Sequence, residues 1–294
     1  MLSTLNLKKY YPKKIHIETV FGCNARCIMC PNSLEKKILI KKMDSKLFKK
    51  VIRDALGIDT INSIKLSLNG EPLLDEDIVS KIRFIKSLKN IRVTFNTNAS
   101  LLTPEISSRI IDSGLDRINF HVSGFSKKVY ERVMSGLSFE TTLTNIMNFN
   151  KIAKSKNSKI VIAIKFVVLK DNIGDMKKAE NFCTKHGFIF RPDILDNRLG
   201  LVDTTQIKVQ KEVKEVRSPC PLIFDHIFVK YNGNIVSCWS DWYGKRVFGD
   251  CGKQNLFDIY NSKKFNNLRA EHLFDRKKSE SICSICNWED KDAV

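Results

Sequence analysis

Gly22-Cys23-Asn24-Ala25-Arg26-Cys27-Ile28-Met29-Cys30-Pro31 follows an apolar, alternating run, Lys14–Val20, that reads as a strand. The three cysteines have C-x3-C-x2-C spacing. Three thiolates this close together can hold three irons of a 4Fe–4S cube, whose usual complement is four cysteines. The fourth iron then stays open to a small molecule. A zinc site fits less well, since a closed structural site also wants four ligands and no fourth cysteine lies nearby. Packed, inert thiols are the remaining reading, because free cysteine is at home in cores.

Outward from this loop, apolar alternation and β-branched runs predict strands over Lys14–Val20, Asn62–Leu68, Ile91–Asn96, Asp116–Val122, Lys159–Val168 and Gly187–Arg191. Helical patterns lie between them. One is capped by Asp44 or Ser45 and runs through Leu56; the others are Asp75–Leu88, Thr103–Ser113, Phe139–Ala153 and Asp175–His186. Six alternations of strand and helix predict parallel strands joined by crossover helices. From about Lys214 the pattern changes. Asp225–Tyr231 and Asn234–Trp239 flank Asn232-Gly233, a strong hairpin signal, and a helix is predicted over Leu256–His272. Residues 1–213 and 214–294 are therefore read as two domains.

The chain has 294 residues, 43% of them hydrophobic, and no low-complexity tract, so a large core can form. The polar start, Met1 to Lys14, is no signal peptide, and no apolar run is long enough to span a bilayer. Nine cysteines without a secretion signal predict a cytoplasmic protein that uses them for metal rather than disulfides. The formal charge is +18, from 50 basic and 32 acidic residues. The lysines are dispersed, which predicts a solvated surface rather than a nucleic-acid interface.

The triad and its place after the first strand resemble the radical S-adenosylmethionine (radical SAM) superfamily. The resemblance implies an α/β fold, a partial (β/α)6 TIM-type barrel with its site at the C-terminal ends of the strands. It implies a 4Fe–4S cluster on Cys23, Cys27 and Cys30, with S-adenosyl-L-methionine on the open iron. Reduction then yields a 5′-deoxyadenosyl radical that takes hydrogen from substrate. Asn69-Gly70-Glu71-Pro72 is similar to the family's Gly-Gly-Glu segment, with Asn69 in place of the first glycine. By this resemblance Gly70 and Glu71 hold the methionine ammonium and Met29 touches adenine. Thr97, Asn98 and Ser123 take polar contacts to methionine and ribose, and Val167 packs on adenine. Each of these residue types also serves as a cap, turn or core residue.

The tail carries C-x17-C at Cys220 and Cys238 and C-x2-C at Cys283 and Cys286. Four thiolates close a cube or a zinc ribbon, and spacing alone does not separate the two. Together with Asn232-Gly233-Asn234 and Leu256-Phe257-Asp258-Ile259-Tyr260, the segment resembles the SPASM/twitch extension of radical SAM enzymes. That implies a small C-terminal α+β domain holding one auxiliary 4Fe–4S cluster. Cys251 is left over as an alternative ligand, a candidate hydrogen donor or a turn residue, while Cys183 shares a helix face with Met176 and Ala179 and reads as core. His121 and His226 lie in strand patterns and read as core or site-edge residues.

A fully ligated auxiliary cluster suits electron transfer. The metal frame is similar to that of the twitch-type deoxy-scyllo-inosamine dehydrogenase class. This implies oxidation of a secondary alcohol on a small substrate, sugar-like or phosphorylated, with Arg191 and Arg198 as candidate contacts. It also implies a reducing donor such as flavodoxin or ferredoxin. The rivals are a sugar epimerase using Cys251 or Cys183, a peptide-modifying maturase, and a basic metal-binding RNA module.

Overall fold

The computed structural model describes residues 9–37, 39–209, 219–275 and 283–286. The proposed boundary at residue 213 and the first eight residues lie outside them. Six parallel strands follow in chain order: β1 (Lys14–Ile17), β2 (Ser63–Lys65), β3 (Arg92–Thr97), β4 (Arg117–His121), β5 (Val161–Val167) and β6 (Ile189–Asp193). Each pairs in parallel with the next. The crossovers carry helices α1 (Ser45–Leu56), α2 (Ile78–Leu88), α3 (Pro104–Ile111), α4 (Lys127–Val133), α5 (Phe139–Ser155) and α6 (Met176–His186). This is the expected partial barrel.

Period-2 alternation sorts the strand side chains. Ile15, Ile64, Phe95, Ile118, Phe120 and Ile164 are fully buried in the apolar core. Phe120 meets Phe149 of α5 edge-on at 5.6 Å. The alternate residues, His16, Lys65, Asn96, His121 and Lys165, turn to the barrel interior, where they line a cavity.

Where element limits differ from the sequence reading, capping explains the difference. Asp44 caps α1 through the N–H groups of Lys46 and Leu47, as expected. Gly187 is not strand. At φ +75° it is the left-handed cap of α6, so β6 starts at Ile189. Asp75 is not helical; it accepts the Asp77 N–H and pairs with buried Lys81, and α2 begins at Ile78. The helix expected over Leu256–His272 is two helices, α8 (Leu256–Tyr260) and α9 (Lys263–Asp275), which follow the short α7 (Leu222–Asp225). Asn261 ends α8 and its amide exchanges hydrogen bonds with the Tyr10 backbone, while Ser262 Oγ accepts the Phe265 N–H at the start of α9.

The tail hairpin, β7 (His226–Val229) and β8 (Asn234–Val236), is joined by β9 (Val247–Asp250). These strands do not form a separate sheet. β7 pairs in parallel with β1, so one nine-stranded sheet runs β9-β8-β7-β1-β2-β3-β4-β5-β6. The junction is locked by a buried ion pair. Lys230 Nζ lies 2.9 Å from Glu18 Oε1 and also donates to the Trp242 carbonyl, while Glu18 accepts the Tyr231 N–H. Removing one partner of such a pair leaves a buried charge uncompensated. Glu18→Ala is expected to lower unfolding free energy by about 3–5 kcal/mol in denaturant titration. A loss under about 1 kcal/mol would show that the junction does not depend on it.

Candidate active site

The cysteine loop leaves the end of β1 through two backbone contacts that only glycine permits. Gly22 has φ +104°, and a Cβ there would lie 2.4 Å from the Leu39 carbonyl oxygen. Gly22 bridges in parallel to Gly70, where a Cβ would meet the Val20 oxygen at 2.2 Å. The loop is then pinned by Arg26 N–H to Ser135 O and Ile28 N–H to Val133 O. Cys23, Cys27 and Cys30 all line one cavity of about 430 Å³. Burial, then the nearby Glu71 carboxylate, pushes the Cys23 thiol up to about 12. Burial, then Cys30 and Cys23, raises Cys27. Three half-buried thiols that would repel one another as thiolates suit a cationic iron centre, which removes that repulsion by binding.

Beside the triad sits Glu71, 2% exposed. It accepts hydrogen bonds from Thr97 Oγ1 (2.6 Å), Asn98 N (2.8 Å) and Leu73 N (3.1 Å). Burial lifts its carboxyl to about 7 against those bonds. Among the described residues no cationic side chain pairs with it. Asn69 is 3% exposed, and neither its amide oxygen nor its nitrogen has a hydrogen-bond partner among the described residues. A lone carboxylate and an unserved amide at one cavity wall fit the ammonium and carboxylate of an amino acid. Thr97, Asn98, Met29, Val167 and Gly70 line the same cavity. Asn98 also donates to Cys23 Sγ at 3.6 Å. Ser123 is the exception. It is absent from the cavity wall, and its hydroxyl accepts the Val167 N–H at 3.0 Å, tying β4's end to β5's.

Deeper in the barrel lies a set that sequence reading did not assemble. Each of the six parallel strands sends at least one polar side chain into the cavity, among them His16, Lys65, Asn96, His121, Lys165 and Asp193. Lys165 Nζ is 2.5 Å from Asp193 Oδ2, and Asn96 Nδ2 is 3.2 Å from His121 Nε2. Burial lowers both imidazoles, His121 to about 3, so both are neutral. The available signal was a polar residue on the inward phase of each apolar strand, as in Ala163-Ile164-Lys165-Phe166. Arg198 lines the cavity mouth beside Asp196, at 3.7 Å, whereas exposed Arg191 does not line it.

The four tail cysteines also come together. Cys220, Cys238, Cys283 and Cys286 line a second, small cavity of about 20 Å³ with His272. The Cys238 thiol is raised first by burial and then by Cys283, Cys286 and Cys220. Trp239 lines both cavities. Its indole N–H donates to Asp196 Oδ2 at 2.9 Å, and its ring meets Phe228 edge-on. Cys251 and Cys183 are buried in the core and line neither cavity. His226 stacks on His16 at 5.0 Å behind the cavity wall.

Comparison with known proteins agrees with this geometry. The Radical SAM superfamily pattern matches residues 17–183, more than half of the chain, and the iron–sulfur cluster-binding SPASM domain matches residues 220–287. The S-adenosyl-L-methionine-dependent 2-deoxy-scyllo-inosamine dehydrogenase of Niallia circulans is 21% identical over 275 residues, 93% of this chain and 92% of that protein. Among solved structures, BtrN in complex with AdoMet and 2-DOIA has TM-score 0.66 and 20% identity, covering 95% of this chain and 94% of its own. Streptococcus suis SuiB bound to precursor peptide SuiA has TM-score 0.74 and 15% identity, covering 94% and 70%. Among the described residues no helix is long and apolar enough to cross a membrane. The chain belongs to the radical SAM superfamily, whose domain takes a 4Fe–4S cluster and S-adenosylmethionine, and it carries a SPASM-type iron–sulfur domain.

Proposed function

We propose that this enzyme oxidises a secondary alcohol of a small, sugar-like substrate to a ketone. The observation that carries the reading is Trp239, which forms a common wall between the substrate-sized cavity and the pocket of four cysteines. A second metal site one side chain from the substrate suits a reaction with a net electron to dispose of. The similarity over nearly the whole chain to a protein named as an inosamine dehydrogenase supports it, and the cavity has the size of a small-molecule site.

In this reading Cys23, Cys27 and Cys30 hold three irons, and Cys220, Cys238, Cys283 and Cys286 hold the auxiliary cluster. Asn69, Gly70, Glu71, Thr97 and Asn98 take the methionine part of S-adenosylmethionine, and Met29 and Val167 flank its adenine. Once bound, the cofactors supply a hydrogen-abstracting radical and an acceptor for one electron. The chain's own residues place the alcohol. Asn96 and neutral His121 and His16 offer hydrogen bonds to hydroxyls. Asp193, held by Lys165 on the cavity wall, is assigned as the acceptor of the alcohol proton. The barrel walls exclude water from the radical. Electrons enter from a donor such as flavodoxin or ferredoxin.

The epimerase reading asks for a hydrogen donor in the cavity. Among the described residues the only cysteines lining it are Cys23, Cys27 and Cys30. The discriminating experiment is anaerobic turnover of the reconstituted enzyme with a panel of cyclitols and sugars. The expected result is a product lighter by two hydrogen atoms, formed with one 5′-deoxyadenosine per turnover. A product of unchanged mass that carries one solvent deuterium would establish epimerisation instead.

A further inference from the structure

We infer that the barrel interior is built for a substrate carrying an anionic group, a carboxylate or a phosphate, and that Lys65 is the residue that binds it. The inference rests on the small-substrate reading of the cavity given above and narrows it.

The argument is one of charge pairing. Around the barrel half of the cavity stand three cations, Lys65, Lys165 and Arg198, and two carboxylates, Asp193 and Asp196. Both carboxylates are taken. Asp193 is 2.5 Å from Lys165, and Asp196 is 3.7 Å from Arg198 while also accepting from Trp239 and Ser240. Lys65 forms no ion pair within 4.0 Å and no side-chain hydrogen bond among the described residues. Among its charged neighbours Asp193, already paired with Lys165, attracts it without contacting it, whereas Lys165 and Arg198 repel it. His16, its register partner on β1, and His121 are neutral. The cavity therefore presents one surplus cation, at the last residue of β2, among groups that suit hydroxyls.

A buried ammonium without a counter-ion is costly, and a protein relieves it by deprotonation or by binding an anion. Burial, then Lys165, lowers Lys65 to about 7, so it is partly protonated at neutral pH and an anionic ligand completes its charging. The same surplus disfavours a substrate whose amine would face Lys65.

The test is calorimetric binding to the reconstituted, S-adenosylmethionine-loaded protein of four probes: D-glucuronate, D-glucose 6-phosphate, D-glucose and D-glucosamine. At least one anion is expected to bind about tenfold or more tighter than glucose, and glucosamine more weakly than glucose. The better of the two anions identifies carboxylate or phosphate. Lys65→Met should erase the preference, and Lys65→Arg should keep it. Raising the pH through about 7 should weaken anion binding to the wild type but not to Lys65→Arg, because arginine stays charged. Iron content and S-adenosylmethionine affinity serve as folding controls. The inference is overturned if the four probes bind alike, if Lys65→Met leaves anion affinity unchanged, or if Lys65→Met weakens S-adenosylmethionine instead. None of these readouts requires turnover. Lys65-dependent anion binding without alcohol oxidation would reject the dehydrogenase reading and leave this one standing.

Discussion

Glu71→Gln, with the first cluster intact, is expected to weaken S-adenosylmethionine binding by about 30-fold or more and to lower 5′-deoxyadenosine formation at least as much. Truncating a buried, hydrogen-bonded charge pair costs about 2–5 kcal/mol, and each 1.4 kcal/mol is about tenfold. The substitution preserves volume, so the wall keeps its shape. It removes a buried carboxylate that pairs with no cationic side chain among the described residues. It also gives the protein a second difficulty. One Glu71 oxygen accepts from Thr97 and Leu73 and the other from the Asn98 N–H, so an amide nitrogen must face a donor on one side. Iron content and the visible spectrum report whether the triad still holds its cluster. Unchanged S-adenosylmethionine affinity in a fully loaded Glu71→Gln protein would show that the carboxylate only ties β2 to β3.

The sequence revealed most where a local rule acts alone. The triad, the crossover order and the Asp44 cap each follow from a few adjacent residues, and all three stand in the structure. Element ends were less legible, because a cap is chosen by competition. Gly187 reads equally as a strand start and as a helix cap, and its positive φ decides for the cap. Asn261-Ser262 reads as helix interior until Tyr10, far away in sequence, occupies the Asn261 amide. The continuous sheet was hidden for a related reason. The hairpin shows in Asn232-Gly233, but its pairing with β1 depends on a contact between residues more than two hundred positions apart. The site divides in the same way. Glu71 was legible from a strand-ending motif. Ser123 sits at a matching strand end, yet it does not line the cavity and its hydroxyl oxygen accepts the Val167 N–H. Lys65 and Lys165 carry no motif at all. Only the curvature of six strands turns their inward phase into a common ring, and only then does the count of charges acquire meaning.

Cys238→Ala is expected to lower iron from about eight to about four per chain while 5′-deoxyadenosine is still formed, with ketone formation reduced by about a hundredfold or more. Cys238 follows β8 by two residues and faces the other three thiols of the small pocket. Its loss opens that pocket without touching the triad, which hangs on β1, Gly22 and Gly70. The uncoupling is the informative part. Hydrogen abstraction depends on the first cysteine set, whereas completing an oxidation depends on somewhere for the remaining electron to go. Trp239, which lines both cavities, is itself left in place by the substitution. Cys286→Ala removes a ligand from the other end of the same pocket and should reproduce the phenotype. That agreement would exclude a fault confined to the hairpin. Zinc in place of iron in the wild-type pocket would identify a closed structural site. Full ketone formation after loss of four irons would mean that the electron leaves by another route and that the auxiliary site serves only to fold the tail.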